Sequence, residues 1–244
     1  MKNAFAVSAL CLGLAAGPAG AFTLEDAGLT VGITPTISSD YLFRGISQTR
    51  NRPAAQVTVD IEHTSGVYVG AFLSNISFAG TDARQEVDVL AGYRFAIGGV
   101  KFDLGGVGYL YPGYDYPQGA FDLNYFELAA RVSYEFDPLK VLGSAFWSPN
   151  FQAESGSSFY LEGGLEVKLP LDFTLAGRFG YQWIDRNNRF GTPDFANWNV
   201  TLSREVFGFT LTVGYYDTNL NRSECVGGQK ICDARAMVTL SRTF

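Results

Sequence analysis

The sequence predicts an all-β fold, a transmembrane antiparallel up-and-down β-barrel of about 12 strands, and three observations support it. From Leu29 to Phe244 the chain repeats, about twelve times, a segment of roughly ten residues in which apolar and polar side chains alternate. That is the length that a membrane-crossing strand needs. The connectors between the segments are alternately very short and long. Aromatic residues gather at both ends of the segments, where the two membrane interfaces would lie.

The strands follow from a period of two along the chain. In residues 55–62, Ala, Val, Val and Ile occupy one face while Gln, Thr, Asp and Glu occupy the other. Pro35 makes the first strand irregular, because proline cannot donate a ladder hydrogen bond. We expect this strand to pair with the last one, because unpaired backbone groups are not tolerated in hydrocarbon. A soluble β-sandwich or lipocalin-type barrel also alternates, but its apolar face points inward. Tight turns are expected at 64–66, 97–99, 137–138, 170–172 and 206–208.

The N-terminus has the features of a signal peptide over residues 1–21. Lys2 gives it a positive start, residues 4–16 are apolar or small, and Ala19-Gly20-Ala21 matches the A-x-A cleavage pattern. We therefore expect a single barrel domain over residues 22–244. The formal net charge of −6, without any basic cluster, argues against nucleic-acid binding.

The cysteines predict one disulfide and no metal site. Cys11 lies within the signal peptide, whereas Cys225 and Cys232 share one long connector with six residues between them. In an oxidising compartment this pair would staple the loop, and the alternative is two free thiols. The spacing without nearby histidines is not a metal-binding pattern, and no cofactor is expected.

Several blocks resemble the TorF family of small Gram-negative outer-membrane porins. They are Ser39-Asp40-Tyr41-Leu42-Phe43-Arg44-Gly45-Ile46-Ser47-Gln48-Thr49, Gly66 to Gly70, Ser74 to Ile76 and Glu86 to Tyr93. The resemblance covers essentially the whole mature chain and implies an outer-membrane barrel with short periplasmic turns and longer extracellular loops. It implies no catalytic site and no particular substrate. Phe244 also resembles the C-terminal signal that the barrel-assembly machinery reads, although Arg242 departs from that signal.

The strand alternation places charged side chains inside the barrel. Acids outnumber bases nine to six on the predicted inner face, which indicates a mildly cation-preferring lumen. The alternative is that the charges pair across the lumen and fill it, since about 12 strands is an intermediate barrel size. The predicted pore-lining residues are Glu86, Asp88, Arg94, Lys101, Asp103, Glu127, Arg131, Glu162, Glu166, Arg178 and Arg235.

These features favour a channel over an enzyme. The only histidine, His63, lies beside Ser65 and Asp60, but neighbours in one strand and turn rarely reach the geometry of a triad. We expect an outer-membrane channel for passive diffusion of small polar solutes or ions. The alternative is a plugged barrel, surrounded by lipid, whose loops bind an external ligand. Its candidate loops are Ile46 to Arg50, Pro112 to Ala120, Ile184 to Asp194 and Asn219 to Cys232.

Overall fold

A computed structural model describes residues 21–115 and 121–244. Residues 1–20, which carry nearly all of the predicted signal peptide, lie outside the described residues. So do residues 116–120 of the predicted binding loop at 112–120. The structural elements given below all lie within these two ranges.

The chain forms a closed antiparallel barrel of twelve strands, and this confirms the predicted fold class. Each strand pairs with its neighbours in the sequence, so the topology is up-and-down. The barrel strands are β2 Leu29–Ser38, β5 Ala54–His63, β6 Val67–Asn75, β7 Gln85–Ile97, β8 Val100–Leu110, β9 Tyr125–Phe136, β10 Leu139–Ser148, β11 Ser158–Leu169, β12 Phe173–Ile184, β13 Phe195–Val206, β14 Phe209–Thr218 and β15 Arg235–Ser241.

The first barrel strand closes against the last, as the backbone argument requires. β2 pairs with β15 through Thr36↔Ser241 to Ser38↔Thr239. Below that ladder, Ile33 and Phe244 exchange two backbone hydrogen bonds of 3.0 and 2.9 Å. A short strand that the sequence pattern did not predict, β1 Phe22–Leu24, pairs with the start of β2. Together these contacts satisfy the backbone of β2 along its whole length.

The outer face is apolar and the inner face is polar, as the alternation predicts. Val89, Leu165 and Phe179 each expose about half of their surface on the outside. Their neighbours Asp88, Glu166 and Arg178 are buried inside. An outer surface of this kind matches hydrocarbon rather than water.

The connectors sort by length onto the two rims. The short turns 64–66, 98–99, 137–138, 170–172 and 207–208 lie at one rim, together with the first described residues and the C-terminus. The long loops lie at the other rim and include α1 Asn187–Phe190. Short 3₁₀ turns occur at Glu25–Ala27, Gln152–Glu154, Pro170–Asp172, Arg222–Glu224 and Val226–Gly228. None of the helices in the described ranges has the length and apolarity needed to cross a membrane.

The loop after β2 folds into the barrel, which the sequence pattern did not predict. Residues 39–53, here called the lumen hairpin, contain β3 Leu42–Phe43 and β4 Ile46–Ser47. These two strands pair only with each other. The side chains of Leu42, Phe43 and Ile46 are at most 8% exposed, so the hairpin is enclosed by the barrel wall and the other loops.

Leu165→Arg tests whether the outer face contacts lipid. Leu165 lies within β11 beside Val141 and Gly177 of the neighbouring strands, with half of its surface facing outward. A cation there should lower the free energy of unfolding in lipid vesicles by about 2–4 kcal/mol, measured by urea titration. Leu171→Arg, at an exposed turn tip, is the control and should cost far less. Equal effects of the two substitutions would contradict a lipid-facing exterior.

Candidate functional site

The lumen hairpin reverses through a tight turn at Arg44 and Gly45. Both residues have positive φ, 49° and 82°, which is the requirement of the type I′ turn that suits two-residue β-hairpins. A Cβ on Gly45 would lie 2.5 Å from the Thr218 methyl group and 3.1 Å from the Asn197 Cβ. Glycine is therefore required here both by the backbone and by the close approach of the barrel wall.

Asp40 holds the base of the lumen hairpin. Its carboxylate accepts hydrogen bonds from the hydroxyls of Ser47 at 2.6 Å and Thr49 at 2.7 Å. Arg235 on β15 donates to the other oxygen at 2.6 Å. The backbone N–H of Gln48 donates to the Tyr41 carbonyl at 2.7 Å. Because Asp40 is 4% exposed, these charge-assisted bonds form in a dry environment and fix where the hairpin enters the lumen.

Arg44, at the tip of the hairpin, binds the barrel wall at β9 and β12. Its Nη2 donates to Glu127 Oε2 of β9 at 2.7 Å, and its Nη1 donates to Gln182 of β12. The guanidinium lies 4.2 Å from the ring centre of Tyr160 and 4.6 Å from that of Phe43. Arg44 is 3% exposed and Glu127 and Gln182 are fully buried. The hairpin is thus fastened across the lumen by a buried ion pair and stacked aromatic rings.

Little space remains on the other side of the hairpin tip. A gap of about 10 Å³ lies between the tip and β13–β14, lined in part by Glu162, Asn197 and Tyr216. That volume accommodates about one water molecule. In this conformation Arg44 and the hairpin tip therefore obstruct the lumen at their level.

A cluster of acids and tyrosines lies along the wall behind the hairpin. Tyr109 donates to Glu127 at 2.9 Å, and Tyr41 donates to Glu86 at 2.5 Å. Asp88 is fully buried, and neither of its oxygens has a hydrogen-bond partner in the described part of the chain. Nor does any cation pair with Glu86 or Asp88 within those ranges. Because a buried carboxyl group without a cation favours its neutral, protonated form, Asp88 adds little negative charge to the lumen.

Tyr111, just beyond the end of β8, closes this cluster on the loop side. Its ring packs near Phe78, with the centroids 5.6 Å apart, and its hydroxyl accepts a hydrogen bond from Gln152 at 3.0 Å. Burial, and next the charge of Glu86, raise the pKa of Tyr111 well above its usual value. The phenol therefore stays neutral at physiological pH.

Charges nearer the short-turn rim are paired across strands. Arg94 of β7 forms ion pairs with Asp60 at 3.3 Å, with Glu62, and with Asp103 at 3.5 Å. Arg131 reaches the same Asp103 at 3.4 Å. These pairs run along the wall between nearby strands, whereas the predicted alternative was pairing across the lumen.

A second group of pairs continues around the same half of the barrel. Arg178 pairs with Glu166, which also binds Lys140 at 3.1 Å. Lys168 pairs with Glu135 at 2.6 Å, but both side chains are exposed at the rim. The Arg178–Glu166 pair lies deeper in the barrel and is shielded from water, whereas the Lys168–Glu135 pair is not.

Tyr68 supports the Arg94 cluster by lying flat against two glycines. Its ring centre is 3.7 Å from the Arg94 guanidinium, and its hydroxyl donates to Asp103 at 2.8 Å. A Cβ on Gly92 or Gly105 would lie 2.6 or 2.7 Å from the Tyr68 hydroxyl oxygen. The two missing side chains create the space in which the tyrosine orients the cation.

The opposite side of the lumen is polar without buried charge. Within the described residues, the buried side chains of β2, β13, β14 and β15 include no carboxylate and no cation. Seven of them are serine or threonine residues, and Ser38 and Thr239 lie 3.2 Å apart across the closing ladder. The lumen wall is therefore asymmetric. These residues are Thr36, Ser38, Thr201, Thr212, Thr218, Thr239 and Ser241.

The structure places all eleven predicted pore residues on the inner side, buried or half-buried, in two groups. Their role in lining a conducting path stays a prediction. Near the hairpin lie Glu86, Asp88, Glu127, Glu162 and Arg235, and nearer the short-turn rim lie Arg94, Lys101, Asp103, Arg131, Glu166 and Arg178.

Cys225 and Cys232 form a disulfide with a Cα–Cα distance of 5.9 Å. Both cysteines are buried against the lumen hairpin. The Ile231 carbonyl accepts a 2.9 Å bond from the Ser47 N–H, and the Cys232 carbonyl accepts a 3.0 Å bond from Thr218. The stapled loop therefore covers the hairpin from outside.

The residues considered for catalysis do not assemble into a triad. His63 Nδ1 and Ser65 Oγ lie 2.8 Å apart at the exposed rim, but Asp60 is engaged by Arg94. No group of three or more His, Cys, Asp or Glu residues in the described ranges is arranged to hold a metal ion. The geometry offers no reacting centre at this rim.

Sequence reasoning missed the residues that build the constriction. Arg44 and Asp40 lie in the block that resembles the TorF family, yet the pattern of alternation assigns them to a loop. Gln182 and Tyr160 are at alternating positions of strands, but they carry no charge and were not singled out. The one available signal was a charged residue between Phe43 and Gly45 in an otherwise apolar turn.

A double-mutant cycle tests the buried pair. Arg44→Met leaves Glu127 buried without its cation and should lower the free energy of unfolding by about 3–5 kcal/mol. Adding Glu127→Gln should restore a large part of that loss, because the amide can still accept from Tyr109. Urea unfolding followed by tryptophan fluorescence gives the coupling energy. Glu135→Gln, in the exposed pair with Lys168, is the control and should cost less than about 1 kcal/mol. Simple additivity of the Arg44 and Glu127 effects would refute the pairing.

Two glycines of β8 provide a matched test of the Tyr68 packing. Gly105→Ala places a methyl group 2.6 Å from the Ala91 carbonyl oxygen as well as against Tyr68, so it should lower stability by about 1–3 kcal/mol. Gly108→Ala meets nothing within 4 Å and should be nearly neutral. The readout is the urea midpoint of each variant. A destabilised Gly108 variant beside an unaffected Gly105 variant would contradict this account.

Known structures share this fold. The KdgM porin, solved in complex with disordered oligogalacturonate, aligns with a TM-score of 0.58 at 11% identity over 88% of this chain and 98% of that chain. The NanC porin aligns with a TM-score of 0.54 at 9% identity over 87% and 98% of the two chains. An outer-membrane channel from Pseudomonas putida F1 aligns with a TM-score of 0.51 at 15% identity over 89% and 96%. These likenesses are with channels rather than enzymes, and at such identities they show a common fold.

Sequence comparison gives the family. No curated protein matches the chain. A family model described as "Bacterial protein of unknown function (Gcw_chp)" matches residues 15–244, and the chain belongs to this Gcw_chp family.

Proposed function

We propose that the protein is an outer-membrane channel for passive diffusion of small polar solutes or ions, with the lumen hairpin as its constriction. The observation that carries this proposal is a closed barrel with an apolar exterior and a polar interior, crossed at one level by Arg44. A barrel of this kind isolates a polar path from lipid. In this proposal the polar interior of the barrel provides the path for the solute, and no reacting centre is needed.

The shape of the interior supports small solutes. The gap beside the hairpin tip, about 10 Å³, has room for about one water molecule, so larger solutes would pass at this point only if the hairpin shifted. The KdgM porin was solved with oligogalacturonate, a polar saccharide, which is consistent with a polar solute here. The hydroxyl-bearing wall of β2 and β13–β15 provides neutral hydrogen-bonding groups along one side of such a path.

The charge distribution supports a preference for cations. Most lumen bases are engaged by acids, as Arg94 is by Asp60 and Arg178 by Glu166. Glu86 and Asp88 have no cation partner in the described ranges, but burial favours their neutral form. The support for cation entry is therefore the excess of acids over bases that the strand pattern predicts for the inner face.

The same fold supports placement in the outer membrane. We infer that residues 1–21 are removed as a signal peptide, that lipid surrounds the apolar face, and that the barrel-assembly machinery recognises the C-terminal Phe244. Phe244 is half exposed on the outside of the barrel, where such recognition is sterically possible. The blocks that resemble the TorF family support the same location and orientation.

A second function is favoured by the burial of the lumen hairpin. A barrel whose plug is fixed by Arg44, Glu127 and Gln182 would not conduct, and its loops would instead bind an external ligand. An open channel should conduct ions through the purified protein, whereas a plugged barrel should not. They are therefore separable in a single experiment.

Planar-bilayer recording of the refolded protein is that experiment. The unmodified protein should give discrete conductance steps, and Arg44→Ala should increase their size because it removes the side chain that joins the hairpin tip to β9 and β12. Arg84→Ala, in an exposed loop position, is the matched control and should leave the steps unchanged. A silent native barrel that conducts only after Arg44→Ala would support the plugged alternative. Silence of both proteins, with normal folding, would refute the channel.

A further inference from the structure

We propose that a cavity on the loop side of the lumen hairpin binds a small aromatic carboxylate. This site, here called the outer cavity, is formed by the hairpin, the loops at 76–84, 149–157 and 185–194, and the disulfide loop. The proposal concerns binding at the loop side and goes beyond the proposed diffusion of solutes. It does not require that the barrel conducts.

The walls of the outer cavity are mostly aromatic. Its volume is about 180 Å³, and its lining contains the five rings of Phe43, Phe78, Phe151, Phe190 and Phe195. An apolar protein cavity of about 150 Å³ is large enough to bind benzene. The outer cavity therefore has room for one substituted aromatic ring, in contact with rings that can stack on it or meet it edge-on.

The charged residues that line the outer cavity favour the binding of an anion. Two cations, Arg44 and Arg50, contribute to its lining, and no Asp or Glu among the described residues does. Arg44 is already neutralised by Glu127 at 2.7 Å. Arg50 is exposed and has no ion pair within the described ranges. A carboxylate attached to a ring in the cavity would thus find its partner in Arg50.

The polar groups of the outer cavity argue against a saccharide as the ligand. Gln182 donates to the carbonyls of Phe159 and Trp183 and accepts from Arg44. Gln152 donates to Tyr111, and Gln229 donates to the Val226 carbonyl. Because Gln182 uses both donors and its acceptor, and Gln152 and Gln229 use one donor each, few side-chain amide groups remain for a ligand with many hydroxyls.

The ligand would rest directly on the lumen hairpin. Phe43 and Ile46 belong to β3 and β4, and both line the outer cavity. Binding therefore contacts the same element that narrows the lumen.

The test measures binding of benzoate to the full-length, detergent-solubilised protein by isothermal titration calorimetry. Benzoate should bind more tightly than benzyl alcohol, which has the ring without the charge, and benzylamine should bind most weakly. Ala79→Trp, which fills the cavity from the loop at 76–84, should weaken benzoate at least about tenfold. Arg50→Gln should weaken benzoate roughly threefold to tenfold and leave benzyl alcohol unchanged. Arg84→Gln, in the same group of loops but outside the cavity lining, should change neither.

The outcomes separate this site from the proposed function. Benzoate binding that is lost in Ala79→Trp and reduced in Arg50→Gln supports the site, whether or not the barrel conducts. Absence of benzoate binding up to about 10 mM, or equal binding by the native, Ala79→Trp and Arg50→Gln proteins, overturns it. Heat-modifiable mobility in gels verifies that each variant is folded. Arg50→Gln, at an exposed position, retains the test if Ala79→Trp fails to fold.

Discussion

Pairing of every backbone N–H and C=O group in hydrocarbon is the constraint on which the rest of this structure depends. It requires β2 to meet β15, and the hydrogen bonds between Ile33 and Phe244 extend that closure below the regular ladder. Once the sheet is closed, the side chains that alternate along each strand point to the outside and the inside of the barrel in turn. The apolar exterior, the polar lumen and the sorting of connectors onto two rims all follow from this one requirement.

Closure creates a second problem, because many charged side chains are confined in a narrow interior. The protein resolves it differently at two heights. Toward the short-turn rim, acids and bases of neighbouring strands neutralise one another, as in the group around Arg94. Toward the loops the wall supplies Glu86, Asp88 and Glu127, and only Glu127 receives a cation, which comes from the lumen hairpin. Arg44 thus stabilises the wall and obstructs the lumen, and two buried acids without a cation remain beside it.

The sequence predicted the parts of this structure that are local. Alternation within residues 55–62, for instance, and the length of each connector depend on near neighbours, so β5 and its turn at 64–66 were predictable. The lumen hairpin was not, because its position depends on partners far away in the chain. Arg44 and Glu127 are separated by 83 positions, and Asp40 and Arg235 by 195. The strand pattern identified the acidic wall at Glu86, Asp88 and Glu127, but it could not show which of these acids is paired.

The lumen hairpin borders both the outer cavity and the barrel wall. Phe43 and Ile46 line the outer cavity, while Arg44, between Phe43 and Gly45, also binds Glu127 of the wall. A ligand shifts a conformational equilibrium only by the difference between its affinities for the two states. A ring that packs on Phe43 makes those contacts only while the hairpin is seated, so its binding energy adds to that of the Arg44–Glu127 pair. An occupied outer cavity and an unseated hairpin therefore oppose each other, and the coupling between them is reciprocal.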